Sequence, residues 1–110
     1  LPKLHFIHSI GGDDRTSELP ITVAANTNYH LKIVIDKNRQ ASIFVNGIQY
    51  NITGGAASPD SVSVTAGTTK SAALTDDVDL VPYIGVTEKG TGAARSLNVY
   101  YQAINRVLFE

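Results

Sequence analysis

The chain of 110 residues contains no cysteine, which removes disulfides, thiolate chemistry and cysteine-ligated metal sites together. The redox compartment stays open, since a cysteine-free chain suits either. Methionine is also absent, so the sequence is not expected to begin at a translation start. Leu1-Pro2-Lys3 has no signal-peptide character, and a piece of a longer protein is the simpler expectation. Charge is sparse at 17% of residues with a net of −1, and no basic excess points to nucleic acid or an anionic membrane. No apolar run approaches the ~20 residues that span a bilayer. No stretch carries a 3.6-residue helical period, and no internal repeat is present. These absences leave a single expected domain, 1–110, with 43% apolar residues and a rather neutral surface.

The most informative stretch is Tyr29 to Ile52, YHLKIVIDKNRQASIFVNGIQYNI. Tyr29, Leu31, Ile33 and Ile35 alternate with His30, Lys32 and Asp36, the period of a half-buried strand. Asp36-Lys37-Asn38-Arg39 is a polar turn, and Ala41, Ile43 and Val45 carry the apolar face onto a second strand. Asn46-Gly47 supplies the two positive-φ residues of a type I′ hairpin. A two-residue loop pairs Val45 with Ile48 and Ile43 with Tyr50, placing Ile48, Tyr50 and Ile52 on that same face.

The remaining segments continue the β pattern. Lys3 to Ile10 reads as a strand broken by Gly11-Gly12-Asp13-Asp14. Leu19 to Ala25 is a second, with Pro20 near its start, where a missing amide is tolerated. Residues 54–73 form a long Gly-, Ala-, Ser- and Thr-rich loop, with Ser61 to Thr65 as a short strand inside it. Leu80 to Thr87 is an edge or bulged strand because of Pro82. Leu97 to Phe109 is the longest strand candidate, and its apolar residues on both faces imply that the second face is covered. Seven or eight short strands separated by Gly, Pro and Asn turns predict an all-β, antiparallel sandwich or jelly roll.

The phrases HLKIVID…ASIFVNG and VPYIGVTEKGTGAARSLNVYYQAINRVLFE resemble the central and closing strands of concanavalin A-like (laminin-G-like) jelly rolls. The closing phrase is most similar to such domains in tailed-phage structural proteins, head decorations and fibres. That resemblance implies a curved two-sheet sandwich, incomplete in this chain and finished by an upstream segment or another subunit. It also implies a virion location, or alternatively an extracellular or cell-surface one. The fold alone serves lectins, glucanases and adhesion modules as well.

Glucanase relatives of that fold place two glutamates and an aspartate in one cleft, and retaining hydrolysis needs two carboxyls about 5–5.5 Å apart. Glu18, Glu88 and Glu110 are dispersed, and no Glu-x-Asp-x-x-Glu phrase occurs, so no enzymatic activity and no catalytic residue are expected. No Gly-x-Ser-x-Gly elbow supports a triad either. Asp76, Asp77 and Asp79 are the weak metal candidates, for calcium, with Asp13 and Asp14 a second acidic pair. A solvated turn is the simpler reading, because EF-hand spacing is absent. His5 and His8, three apart on a strand, point to opposite faces and cannot share one ion. Asn51-Ile52-Thr53 is a glycosylation sequon, relevant only to a secretory setting.

Tyr100, with Ile104 and Leu108 on the even face of the last strand, is the expected binding surface, for a subunit or a glycan. The leading expectation is a non-enzymatic structural module that contacts other virion subunits, as a homo-oligomer, without nucleic acid, membrane or cofactor. The alternative is a carbohydrate-binding module.

Overall fold

The computed structural model describes residues 2–52, 55–56, 58–59, 69–76, 83 and 96–105. The chain divides into two compact units, Leu1–Val78 and Asp79–Glu110. The seven strands all lie in the first unit, and no helix occurs among the described residues. The class is therefore all-β, as the sequence pattern predicts.

β1 (Lys3–Ile10) and β2 (Asp13–Thr22) form an antiparallel hairpin. Gly11 and Gly12 close it in two residues, at φ of 59° and 87°, a backbone that side chains other than glycine rarely adopt. The sequence reading breaks the strand here and resumes at Leu19. Instead Asp13 already pairs with Ile10, and Ser9 Oγ donates to Asp14. The polar run Asp13–Thr16 forms the exposed half of β2, where solvation replaces the apolar signal that marks most strands. Farther along, Leu4 alone stands opposite Leu19, Pro20 and Ile21, between the pairs Lys3–Thr22 and His5–Glu18. This bulge takes Pro20 out of the ladder, which its missing amide requires.

β3 (Leu31–Ile35), β4 (Ala41–Val45) and β5 (Ile48–Asn51) form the expected meander. Val45 pairs with Ile48, as the two-residue loop predicts, and Leu31 pairs with Val45, Ile33 with Ile43 and Ile35 with Ala41, which keeps the expected apolar residues on one face. Asn46 and Gly47 both have positive φ, at 51° and 82°. The Asn46 side chain also accepts from the His30 amide at 2.9 Å. Tyr29 falls outside the strand; its hydroxyl donates to the Thr22 carbonyl and accepts from the Ala24 amide, which ties the meander to the end of β2.

Part of the segment expected to be a long loop belongs to the sheets. β6 (Gly55–Ala56) pairs parallel to β2, and β7 (Ser58–Pro59) pairs antiparallel to β5. The sheets run β1-β2-β6 and β3-β4-β5-β7. Residues 69–76 then lie against the start of β4. Ser71 is buried and exchanges bonds with Ala41: its amide donates to the Ala41 carbonyl at 2.8 Å, and its Oγ accepts from the Ala41 amide at 2.9 Å. The expected strands at 61–65 and 80–87 lie outside the described residues, Tyr83 excepted, and Tyr83 is not in a strand.

The core gathers side chains from both sheets. Phe6 and Leu19 come from the hairpin; Ala41, Ile43, Val45, Tyr50 and Ile52 come from the meander and its end. β4 is buried along its length except at Phe44, which is half-buried.

The I′ turn supplies a direct check. A Cβ at Gly47 would meet nothing within 4 Å, so its cost is backbone conformation alone. Gly47→Val should destabilise by about 1–2 kcal/mol, the penalty of left-handed backbone for an L-residue. Asn46→Asp keeps the acceptor for His30 and should be mild. Chemical denaturation of the two variants decides, and equal effects would mean that the turn does not depend on φ at position 47.

Candidate interaction surface

The sequence pattern assigns Leu31, Ile33 and Ile35 to the same face as Ala41, Ile43 and Val45, and the pairing agrees. Burial separates the two strands. Ala41, Ile43 and Val45 are at most 4% exposed, whereas Leu31 is 52%, Ile33 61% and Ile35 45% exposed. The difference follows from position: β4 lies inside the sheet, while β3 ends it among the described strands. An alternating pattern reports which side chains share a face, not whether anything covers that face. Ile48, at the hairpin tip, is exposed as well, while Tyr50 and Ile52 are buried as expected.

β1 is the corresponding end of the first sheet. Between these two end strands runs a groove of about 320 Å³, lined by Leu4, His5, Phe6, Ile7 and Leu19 from the hairpin and Leu31, Ile33 and Ile43 from the meander. This is the small end of the ~300–1,000 Å³ typical of ligand pockets, and its lining is apolar except for His5. Ile7 adds a further exposed apolar side chain. Its one polar lining residue, His5, has Nε2 3.4 Å from Glu18 Oε2.

The frame that holds β3 is well bonded. Asp36 caps its turn by accepting from the amides of Asn38 (2.8 Å) and Gln40 (3.0 Å) and from Lys70 Nζ (2.8 Å). The Lys70 ammonium, and next the Gln40 amide, hold the Asp36 carboxyl below the usual carboxylate range. Arg39, at φ 60°, donates through Nε to the Leu74 carbonyl, and its own carbonyl accepts from the Leu74 amide. On the opposite face of β3, the Lys32 ammonium sits 5.1 Å from the centre of the Phe44 ring. Lys32 is the only charged residue in β3, so little guards this edge against another strand.

Among the described residues, half-buried His8 is the one whose buried side-chain polar atom, Nδ1, has no hydrogen-bond partner. Its ring lies 5.8 Å from that of Phe6, and Arg15 stands across the ladder. Desolvation, and then the Arg15 charge, lower its pKa. The unfolded chain therefore binds the His8 proton more readily than the folded one. The stability contributed by neutral His8 is complete above the unfolded value of about 6.5 and is lost as pH falls through the lower folded value. Melting temperature should drop between pH 7.5 and 5.5, and His8→Leu should flatten that drop, separating His8 from His5 and His30. An unchanged slope in the variant would remove His8 as the cause.

The other residues singled out by the sequence are placed as follows. Asp76 is exposed, its Oδ1 3.9 Å from Arg39 Nη1; Asp77 and Asp79 lie outside the described residues. No group of three or more His, Cys, Asp or Glu that could hold a metal ion occurs among the described residues. In the second unit, residues 96–105 carry no strand, in contrast to the strand expected from Leu97 onward. Strand chemistry without a ladder partner does not make a strand. Tyr100 is 79% and Ile104 65% exposed, and Leu97, Val99 and Tyr101 are also exposed; Leu108 is outside the described residues. The row on β3 and its groove went unmarked in the sequence because the same residues read equally well as core. Comparison with protein-family models, curated proteins and solved structures finds no match to this chain.

Proposed function

We propose that this chain is a non-enzymatic structural module that acts by docking to other protein subunits, and that its two sheets belong to a sandwich of the concanavalin A-like kind. The observation that carries the reading is the aliphatic row Leu31, Ile33 and Ile35, exposed on a strand that ends its sheet among the described strands and sharing Leu31 and Ile33 with a mostly apolar groove. Single exposed apolar residues are ordinary, but an aligned row on a sheet edge marks a surface for association. The mechanism is burial of this row against a neighbouring chain, with many copies making individually weak contacts tolerable. A virion surface, decoration or fibre, is the setting in which such repetition is at hand, and the resemblance of the closing phrase to phage structural domains supports it.

A second reading, sugar binding, is favoured by one observation: Tyr83, Tyr100 and Tyr101 are each more than 70% exposed and present aromatic faces to solvent. Light scattering across a concentration series, run beside a glycan-binding screen, separates the two. Self-association without glycan binding supports the structural module. A monomer that binds glycans, and loses them on Tyr100→Ala, would replace it.

A further inference from the structure

Asn46 and Gly47 sit exposed at the tip between β4 and β5, and they are the chain's sole Asn-Gly pair. An asparagine followed by glycine is open to attack on its own side chain, because glycine puts no Cβ in the path of the backbone nitrogen. The turn adds three conditions. The Gly47 nitrogen, the attacking atom, lies between the paired Val45 and Ile48 and takes no part in their ladder. The Asn46 carboxamide is held in place: its Oδ1 accepts from the His30 amide at 2.9 Å, while the Asn46 amide donates to the His30 carbonyl at 2.8 Å. That same His30 N–H stabilises the negative charge that grows on Oδ1 as Cγ becomes tetrahedral. Third, Asn46 already has a φ of 51°. Ring closure onto Cγ needs the Gly47 nitrogen to eclipse Cβ, at a ψ near −120°, which is the ψ of the first central residue in a type II′ turn. Types I′ and II′ share the positive φ at that residue, so passing from one to the other flips only the peptide plane between Asn46 and Gly47. The flip carries φ of Gly47 from 82° to about −80°. Glycine takes both values without strain, and both turn types close two-residue hairpins. Both Cα atoms stay in place, so the Val45–Ile48 pair and the bonds between Asn46 and His30 are kept.

We propose that Asn46 is a self-modification site, converted within the folded hairpin to aspartate and isoaspartate through a succinimide reached by this flip. The Gly47 amide gives its proton to hydroxide, and its nitrogen forms a bond to Cγ of Asn46. The Cγ–Nδ2 bond then breaks, and Nδ2 takes a proton from water and leaves as ammonia. A second water opens the ring. Cleavage at Cγ restores the ordinary backbone with aspartate; cleavage at the main-chain carbonyl carbon leaves isoaspartate, whose chain runs through Cβ and Cγ. Either product adds one negative charge to a chain of net −1. Aspartate keeps the acceptor for His30, whereas isoaspartate lengthens the loop by one carbon and works against the Val45–Ile48 register. Asn26 is the internal comparison. It is exposed and has a φ of 54°, but Thr27 follows it, and a branched side chain obstructs the approach.

The test holds the intact chain in mildly alkaline buffer and follows it by mass spectrometry, with isoaspartate read by isoaspartyl methyltransferase. The expected course is loss of the mass of ammonia and then gain of the mass of water, at position 46, faster at higher pH because the amide must lose its proton. Asn46→Asp keeps the turn and should release no ammonia from this site. With the II′ conformer a minor state, the folded chain should react about 10- to 100-fold more slowly than a peptide of residues 43–50. The route is read from Leu19→Ala, which unfolds more often: a local flip predicts a rate within about twofold of wild type. A rate that rises in proportion to the unfolded fraction, in Leu19→Ala or in sub-denaturing urea, would mean that the folded turn protects Asn46, and overturns the proposal. So does a folded chain that stays unconverted while the peptide reacts, or one that converts Asn26 as fast as Asn46.

Discussion

Leu19→Ala should lower the stability of the first unit by about 2–5 kcal/mol, the range for truncating a fully buried leucine. Leu19 is 1% exposed and stands in the bulged part of β2 opposite Leu4, where Pro20 keeps the chain from closing around a void. The buried apolar side chains number only seven among the described residues, so no neighbouring layer can move in to compensate. For a unit of this size each kcal/mol shifts Tm by about 4–8 °C, so the melt should fall by roughly 10 °C or more. Thermal denaturation with circular dichroism measures it. A shift of a degree or two would mean that Phe6, Ile43 and Leu19 do not form one packed core.

Ile33→Lys should do the reverse: leave the melt of the isolated chain nearly unchanged and weaken association by about 100-fold or more. Ile33 is the most exposed of the β3 row, and exposed substitutions typically move stability by ~0.5 kcal/mol or less. In an interface, the new ammonium would be buried without a partner, a cost of at least ~3 kcal/mol, which is about two orders of magnitude in Kd. Sedimentation velocity of wild type and variant side by side reads this out. The pair of variants forms a dissociation: loss of stability with association retained for Leu19→Ala, and loss of association with stability retained for Ile33→Lys. Equal damage to both properties by Ile33→Lys would place this residue in the core rather than on a docking surface.

Much of the meander was legible because independent signals coincide in it. The alternation of Leu31, Ile33 and Ile35, the polar Asp36 turn and the Asn46-Gly47 pair each demand one register, and the ladder has that register. Tyr50 was assigned to the core by its phase and is buried. Three features escaped for separable reasons. Asp13 to Thr16 are polar on both faces, so β2 began six residues earlier than hydrophobicity marked it. Gly55, Ala56 and Ser71 carry little side-chain signal, and their places are set by backbone groups and one hydroxyl, which periodicity does not register. The exposure of β3 is a property of what lies beside it, and no local pattern encodes a neighbour. The segment from Leu97 is the same problem inverted: its residues favour a strand, but a strand exists only where a ladder partner is supplied. The β3 misreading concerns the proposed docking surface, where a sequence that satisfies a partner departs from what a lone chain would choose.

The most direct measurement is sedimentation equilibrium of the unmodified chain over a wide concentration range at neutral pH. Reversible self-association, rising with concentration and insensitive to salt because the contacting surfaces carry almost no charge, is the expected result. A chain that stays monomeric throughout, with Leu31, Ile33 and Ile35 remaining open to solvent, would contradict the assignment of β3 as a docking edge.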